Sequence, residues 1–272
     1  MRPIRHNPTR KVVIITGASS GIGAAVARRL ARDGLCLTLA ARRLEKLEQV
    51  ASEVEALGGE VLIVQTDVRN RDEIQRMVDV TLDRWGHIDV ILNNAGIGND
   101  KPLIQIKPEK IQDEVKINLV AVIECAQVVL PVMLRQKSGH IINVASIAGL
   151  IGLPTSTVYG ATKFGVVGFS DALRRELFGT GIHVSAFCPG FTPTEINPDL
   201  KAIAEKPGEP HPPGLMPVSY VADQIARLIY HPRRRTIVPY SWNILVFIAT
   251  HFPGLADTVI RLYLNGRTKG GR

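Results

Sequence analysis

A chain of 272 residues that is 45% hydrophobic and 21% charged carries enough apolar material for a sizeable core, which excludes a mainly disordered chain and a disulfide-stapled miniprotein. Its 24 glycines and 17 prolines follow no three-residue period, so it is not collagen-like; without an unbroken apolar run of roughly 18 residues, a membrane-spanning helix is not expected. The surplus of 33 Lys and Arg over 25 Asp and Glu, a net charge of +8, is spread out except at residues 2–11 and at Arg233, Arg234 and Arg235, and with no zinc-finger spacing beside it neither a nucleic-acid partner nor a bound metal is expected.

Short apolar runs alternate with segments of helical period. Val12, Val13, Ile14 and Ile15 form a β-branched run of strand length. A glycine-rich turn follows, then Ile22, Val26 and Leu30 at four-residue spacing, closed by Gly34: strand, turn, amphipathic helix, glycine cap. The unit recurs, with strands at 35–40, 61–64, 90–92, 141–144 and 184–187 and helices at 44–57, 71–85, 108–134 and 157–178. A proline-rich stretch at 189–217 precedes a helix at 218–230 and a last strand at 236–238. Strands joined by crossover helices predict a parallel sheet covered on both faces, which the near-continuous apolar runs also require. The expectation is one α/β domain over residues 1–240, a doubly wound parallel sheet with a lid at 191–217, followed by a C-terminal extension at 241–272. Cys36, Cys125 and Cys188 are odd in number, far apart and set in apolar stretches, which fits buried thiols in a reducing compartment and lends no support to a catalytic cysteine. The charged N-terminus lacks the apolar region of a signal peptide, so a cytoplasmic location is expected.

Thr16-Gly17-Ala18-Ser19-Ser20-Gly21-Ile22-Gly23 lies between the first strand and the first helix. A helix N-terminus offers free N–H groups and positive partial charge to a phosphate, and glycine lets the backbone turn sharply and approach it closely. The Gly-x3-Gly-x-Gly spacing differs from the Gly-x-Gly-x-x-Gly fingerprint, but its place between strand and helix points to a nucleotide site; a tight turn serving helix packing alone is the other reading.

Three further elements follow in order: Asn93-Asn94-Ala95-Gly96 after the fourth strand, Ser146 after the fifth, and Tyr159-Gly-Ala-Thr-Lys163 opening the next long helix. Together with the glycine turn they resemble the short-chain dehydrogenase/reductase family over nearly the whole chain, and imply its Rossmann fold. Pro189-Gly190-Phe191-Thr192-Pro193-Thr194 resembles that family's Pro-Gly segment beside the nicotinamide, with Thr192 and Thr194 as partners of its carboxamide. Asn94, Ala95 and Gly96 would line the cofactor, with Asn93 structural. Asp67 and Val68 resemble the adenine contacts, while a plain turn role for Asp67 stays open.

The second strand ends in Ala41-Arg42-Arg43, without the acid that usually bonds a ribose 2′-hydroxyl. Two guanidinium groups suit a 2′-phosphate, so NADP(H) is expected over NAD(H); the alternative is that Arg42 and Arg43 only begin a solvated helix face. Tyr159 and Lys163, four apart, share a helix face. A free phenol has a pKa of roughly 10, and a nearby ammonium is expected to lower it, giving a tuned proton donor. Ser146 would hold the carbonyl oxygen toward Tyr159. By resemblance, Lys163 also bonds the nicotinamide ribose and Asn118 supports a water-borne proton relay; an amide bonded to neighbouring backbone is the other reading of Asn118.

The expected reaction is hydride transfer between NADP(H) and a carbonyl or alcohol, with Tyr159 as acid or base. A non-catalytic NADP-binding scaffold and a sugar-nucleotide epimerase or dehydratase are the alternatives. Leu150, Ile151, Leu153, Pro154, Phe191 and Leu215 suggest an apolar or amphipathic small-molecule substrate, and the lack of an Asp-Gly-Gly-type ending argues against a ketoreductase of acyl-chain synthesis. The extension has three readings: a cover for the substrate pocket, a subunit contact, or a peripheral membrane contact through 241–264. Small residues on the helices at 108–134 and 157–178 (Ala121, Ala126, Gly160, Ala161, Gly165, Gly168) permit close helix approach, and the resemblance implies a homodimer or homotetramer.

Overall fold

The computed structural model describes residues 10–204, 214–258 and 261. The basic segment at 2–9, most of the Gly-Glu-Pro-His-Pro-Pro-Gly stretch at 208–214 and the apolar residues at 262–264 lie outside the described residues. Seven parallel strands form one sheet in the order β3-β2-β1-β4-β5-β6-β7. They are β1 (Val12–Thr16), β2 (Cys36–Ala41), β3 (Glu60–Gln65), β4 (Val90–Asn93), β5 (Gly139–Val144), β6 (Ile182–Pro189) and β7 (Arg235–Val238). All seven match the apolar runs to within two residues at each end; β6 runs two residues further both ways, so Pro189 closes the strand instead of opening the lid.

The helices between the strands are α1 (Gly21–Ala31), α2 (Leu44–Ala56), α3 (Arg71–Trp85), α4 (Pro108–Val115), α5 (Ala121–Gln136), α6 (Thr157–Glu176), a short α7 (Pro198–Ala204) and α8 (Val218–Tyr230), and α9 (Trp242–His251) follows the last strand. Helix α3 shows how the sequence sets its own limits: the Asn70 side chain accepts from the Asp72 N–H at the start, and Gly86 takes the left-handed conformation at the end. Between α4 and α5, residues Lys116–Val120 form a π turn, so 108–136 is one continuous helix with a local widening.

One apolar cluster packs α1, α2 and α8 on one face of the sheet, and a second packs α3, α5 and the end of α6 on the other. A third, at the end of β5 and β6, is covered by Trp242, Leu245, Val246 and Ala249 of α9. No described helix carries an unbroken apolar run long enough to cross a membrane, yet one has the length and average apolarity of a membrane span. Pro108–Gln136 reaches a mean hydropathy of 2.1 in its most apolar window, because isolated polar residues such as Asn118 and Glu124 interrupt the run without lowering its average. Here 56% of that window is buried, as part of a helix packed on the sheet and α3.

The strand order reverses between β1 and β4. In open sheets of this kind the loops after two such strands part, leaving a crevice outside their carboxyl ends.

Candidate active site

The turn after β1 is held by backbone and by two side chains. Gly17 adopts φ +67°, and a Cβ there would stand 2.8 Å from the Cα of Ala95. A Cβ on Gly23 would collide with the Gly17 carbonyl. The Thr16 hydroxyl accepts from the N–H groups of Asn94 (3.0 Å) and Ala95 (3.1 Å) and donates to the Leu92 carbonyl (3.3 Å). The Asn94 amide donates to the carbonyls of Thr16 (2.9 Å) and Gly17 (3.3 Å). Turn and β4 loop are therefore one unit. Ser20 occupies the N-cap of α1 without capping it through its side chain, so no hydroxyl of the cap takes up the helix's first N–H groups.

This unit opens into a cleft of 370 Å³. Of the residues expected to bind cofactor, Gly17, Ser19, Ser20, Gly21 and Ile22 line it from the turn, Arg42 and Arg43 from β2, Asp67 and Val68 from β3, Asn94, Ala95 and Gly96 from β4, and Thr194 from the segment after β6. Thr16, Gly23, Pro189, Gly190 and Thr192 are not on its wall: Thr16 and Gly23 shape the turn from behind, and Thr192 is buried with its hydroxyl on the Gly190 carbonyl, 3.3 Å away. Sequence reasoning missed Ala41, Thr66, Ile97, Gly98, Ile117, Glu195 and Ile196 on the wall. Most of these carry no chemical signal. Glu195 does, as an acid in the lid facing Arg43 and Lys46.

Arg43 donates to the hydroxyls of Ser19 (3.1 Å) and Ser20 (2.8 Å), and its guanidinium lies 2.8 Å from Glu195. Arg43, Lys46 and the Ser20 hydroxyl hold the Glu195 carboxyl down to about 2. The Asp67 carboxylate is taken by Arg69, whose guanidinium stands 2.6 Å away and whose backbone N–H donates at 3.0 Å; this ion pair lowers its pKa. The turn role of Asp67 is thus filled, on the cleft wall. Asn93 donates to Asn143 (2.8 Å), which donates to Ser170 (2.9 Å), a buried amide ladder under β4 and β5.

Ser146 follows β5 and caps a short 3₁₀ turn, its hydroxyl accepting from the Ala148 N–H at 3.2 Å. Tyr159 and Lys163 rise from the first turns of α6, and the Lys163 ammonium lies 5.5 Å from the Tyr159 ring centre. Neither lines the cleft itself; both stand behind its β4 rim. A Cβ on Gly96 would sit 3.8 Å from Lys163 Nζ, and one on Gly98 3.6 Å from the Tyr159 ring. The expected lowering of the phenol does not occur. Burial pushes Tyr159 up to about 12, against the smaller opposite effect of the Ser146 hydroxyl. The lysine cannot overcome this, because its ammonium points at the Val144 carbonyl (2.8 Å) and burial brings Lys163 itself down to about 8.

Asn118 sits on the π turn, fully buried. Its Oδ1 accepts from the Ile97 N–H (2.9 Å), and its Nδ2 donates to the Ile97 carbonyl (2.8 Å) and to Thr162 (3.3 Å). Both ends of the amide are engaged, so the side chain clamps the loop after β4. The three cysteines are buried, and burial pushes Cys125 and Cys188 up to about 12, leaving inert thiols. Among the described residues no group of His, Cys, Asp and Glu side chains is placed to hold a metal.

Residues 11–204 match the sequence profile of the short chain dehydrogenase family. The chain is 41% identical to a 3-oxoacyl-[acyl-carrier-protein] reductase of Synechocystis sp. over 195 residues, 71% of this chain and 79% of that protein. Its fold resembles a short chain dehydrogenase/reductase of Burkholderia phymatum in complex with NAD, with TM-score 0.81 and 29% identity over 90% of this chain and 95% of that one. It also resembles an actinorhodin polyketide ketoreductase with NADPH, with TM-score 0.76 and 33% identity over 84% and 95%.

Proposed function

This chain belongs to the short-chain dehydrogenase/reductase family of oxidoreductases, and we propose that it reduces an apolar carbonyl compound with NADPH, Tyr159 giving the proton. The observation that carries this reading is the joint placement of Ser146, Tyr159 and Lys163 against the β4 rim of the glycine-lined cleft. The residues fit a dinucleotide. Gly17 and Gly23 let the turn pack tightly on the β4 loop behind it, the α1 N-terminus lines the cleft in front, and Arg42 and Arg43 supply positive charge after β2. NADPH bound there would supply the hydride.

The chain's own part is proton chemistry and orientation. A phenol pushed up to about 12 is fully protonated at neutral pH, as reduction requires. Its hydroxyl donates to the developing alkoxide while Ser146 donates to the same oxygen and fixes its direction. Burial brings Lys163 down to about 8, so at neutral pH it stays mostly an ammonium beside the phenol that gives up its proton. Asn118 keeps the Ile97 loop, and with it the rim, in position. A 3-oxoacyl chain is the substrate class to which the Synechocystis relative points, against the expectation drawn from the missing Asp-Gly-Gly-type ending. Helix α9, with Trp242 against Phe191, supports a covering role for the extension, and the exposed Ile123 and Phe164 of α5 and α6 support subunit pairing through those helices.

The test is NADPH oxidation with a panel of 3-oxoacyl thioesters, ketones and aldehydes, the same panel being run with NADH. Stoichiometric NADPH oxidation with at least one of them is expected. No turnover in the presence of bound NADPH would favour a scaffold, and equal or faster rates with NADH would remove the cofactor preference. Membrane contact is tested by liposome sedimentation of I244D/F247D, which alters the exposed face of α9: soluble behaviour of both forms removes it.

A further inference from the structure

The segment after β6 crosses the cleft as a strap. Thr194 lies 3.3 Å from where a Cβ on Gly21 would stand, and Ile196 lies 3.0 Å from where one on Gly98 would. Between them, Glu195 reaches the nucleotide rim. One of its oxygens lies 2.9 Å from the Lys46 ammonium. The other lies 2.8 Å from the Arg43 guanidinium and accepts from the Ser20 hydroxyl at 3.0 Å. The three donors come from two elements, the α1 turn and the start of α2, and they converge on one anion supplied by a third. A carboxylate brings one negative charge and two oxygens to this set. A phosphate monoester brings close to two charges and three oxygens, and so takes the same donors more strongly.

Resting on the NADP(H) reading above, we propose that Glu195 is a specificity-determining residue: its carboxylate occupies the donor set of a nucleotide 2′-phosphate, which must displace it and in doing so frees the strap. A nucleotide with a 2′-hydroxyl has nothing to exchange for Glu195 at these donors. The site lies at a half-exposed rim, so the competition is electrostatic and weakens as salt is added.

The test measures binding of 2′,5′-ADP and 5′-AMP by calorimetry to the intact chain and to E195Q. These probes differ in the 2′-phosphate and lack the nicotinamide, so turnover plays no part. E195Q is expected to tighten 2′,5′-ADP about tenfold and to change 5′-AMP by less than about twofold. E195D, which keeps the charge on a shorter arm, should fall between the two, and in an R43M background most of the E195Q effect should vanish. Equal tightening of both probes would mean a strap without phosphate competition and would overturn the inference alone, as would no change in either while the intact chain still prefers 2′,5′-ADP. E195Q protein holding 2′,5′-ADP no tighter than 5′-AMP would overturn the cofactor reading and this inference with it.

Discussion

The turn after β1 and helix α9 border opposite sides of the strand ends, and they are held by different means. At the turn, Gly17 and Gly23 admit no other residue type, because a Cβ would enter the backbone of Ala95 or of Gly17 itself. Thr16 and Asn94 then close the unit with five hydrogen bonds. At α9, the contacts are apolar packing of Trp242, Leu245, Val246 and Ala249, while Ile244 and Phe247 on the other side are 67% and 56% exposed. The nucleotide side is specified by backbone geometry, which tolerates few sequences. The α9 side is specified by volume and apolarity, which many sequences supply.

The sharpest break between the two sides is expected at their junction. Tyr159→Phe removes the proton donor while leaving the cleft wall intact, so kcat should fall about 10³-fold with NADPH affinity unchanged within about twofold, measured by steady-state kinetics and calorimetry. Retained activity would remove Tyr159 from the reaction. Next in size is Gly23→Ala. The added methyl meets the Gly17 carbonyl and the Asn94 amide, and should cost about 3 kcal/mol by denaturant unfolding together with most nucleotide binding. Gly152→Ala, in a loop with open space around it, should change stability by less than about 0.5 kcal/mol. Equal costs at the two positions would mean that the turn does not depend on its glycines.

Lys163 gives a subtler difference. Its pKa is near 10.5 when unfolded and about 8 when folded, so between these values the unfolded chain holds the proton that the folded chain has released. Stability should therefore rise with pH across about 8 to 10 in the intact chain, relative to Lys163→Met, by no more than about 3 kcal/mol. Above pH 10 the raised Tyr159 works the other way, since the unfolded phenol ionises first. Parallel pH profiles for the two proteins would show that Lys163 is not desolvated.

These contrasts also explain what could be read in advance. The strands were legible because a sheet buried on both faces demands unbroken β-branched runs such as Val12–Thr16. The turn was legible because only glycine fits it. The spacing of Tyr159 and Lys163 placed them on one face but said nothing of burial, and burial reversed the expected shift of the phenol. Asn118 could be located but its π turn could not, since a single widened turn leaves the hydrophobic period almost unchanged. The cleft residues that escaped notice, Ile97, Gly98 and Ile117 among them, are placed by where loops end rather than by any chemistry of their own.

The smallest effect is expected at Trp242. Its ring meets Phe191 edge to face at 5.3 Å and covers Gly190 and Gly214. Such a contact excludes water from the segment that follows β6 without touching the nucleotide wall, on which Trp242 has no atoms. Trp242→Ala should therefore raise KM for an apolar ketone by about threefold to fivefold, leave NADPH affinity alone, and lower kcat little. A Phe at this position keeps an edge for Phe191 and should recover most of the loss, whereas a polar residue of similar size should not. If alanine weakened NADPH as much as the ketone, α9 would be acting on the whole sheet edge, and the division between a backbone-built and a side-chain-built side would fail at this residue.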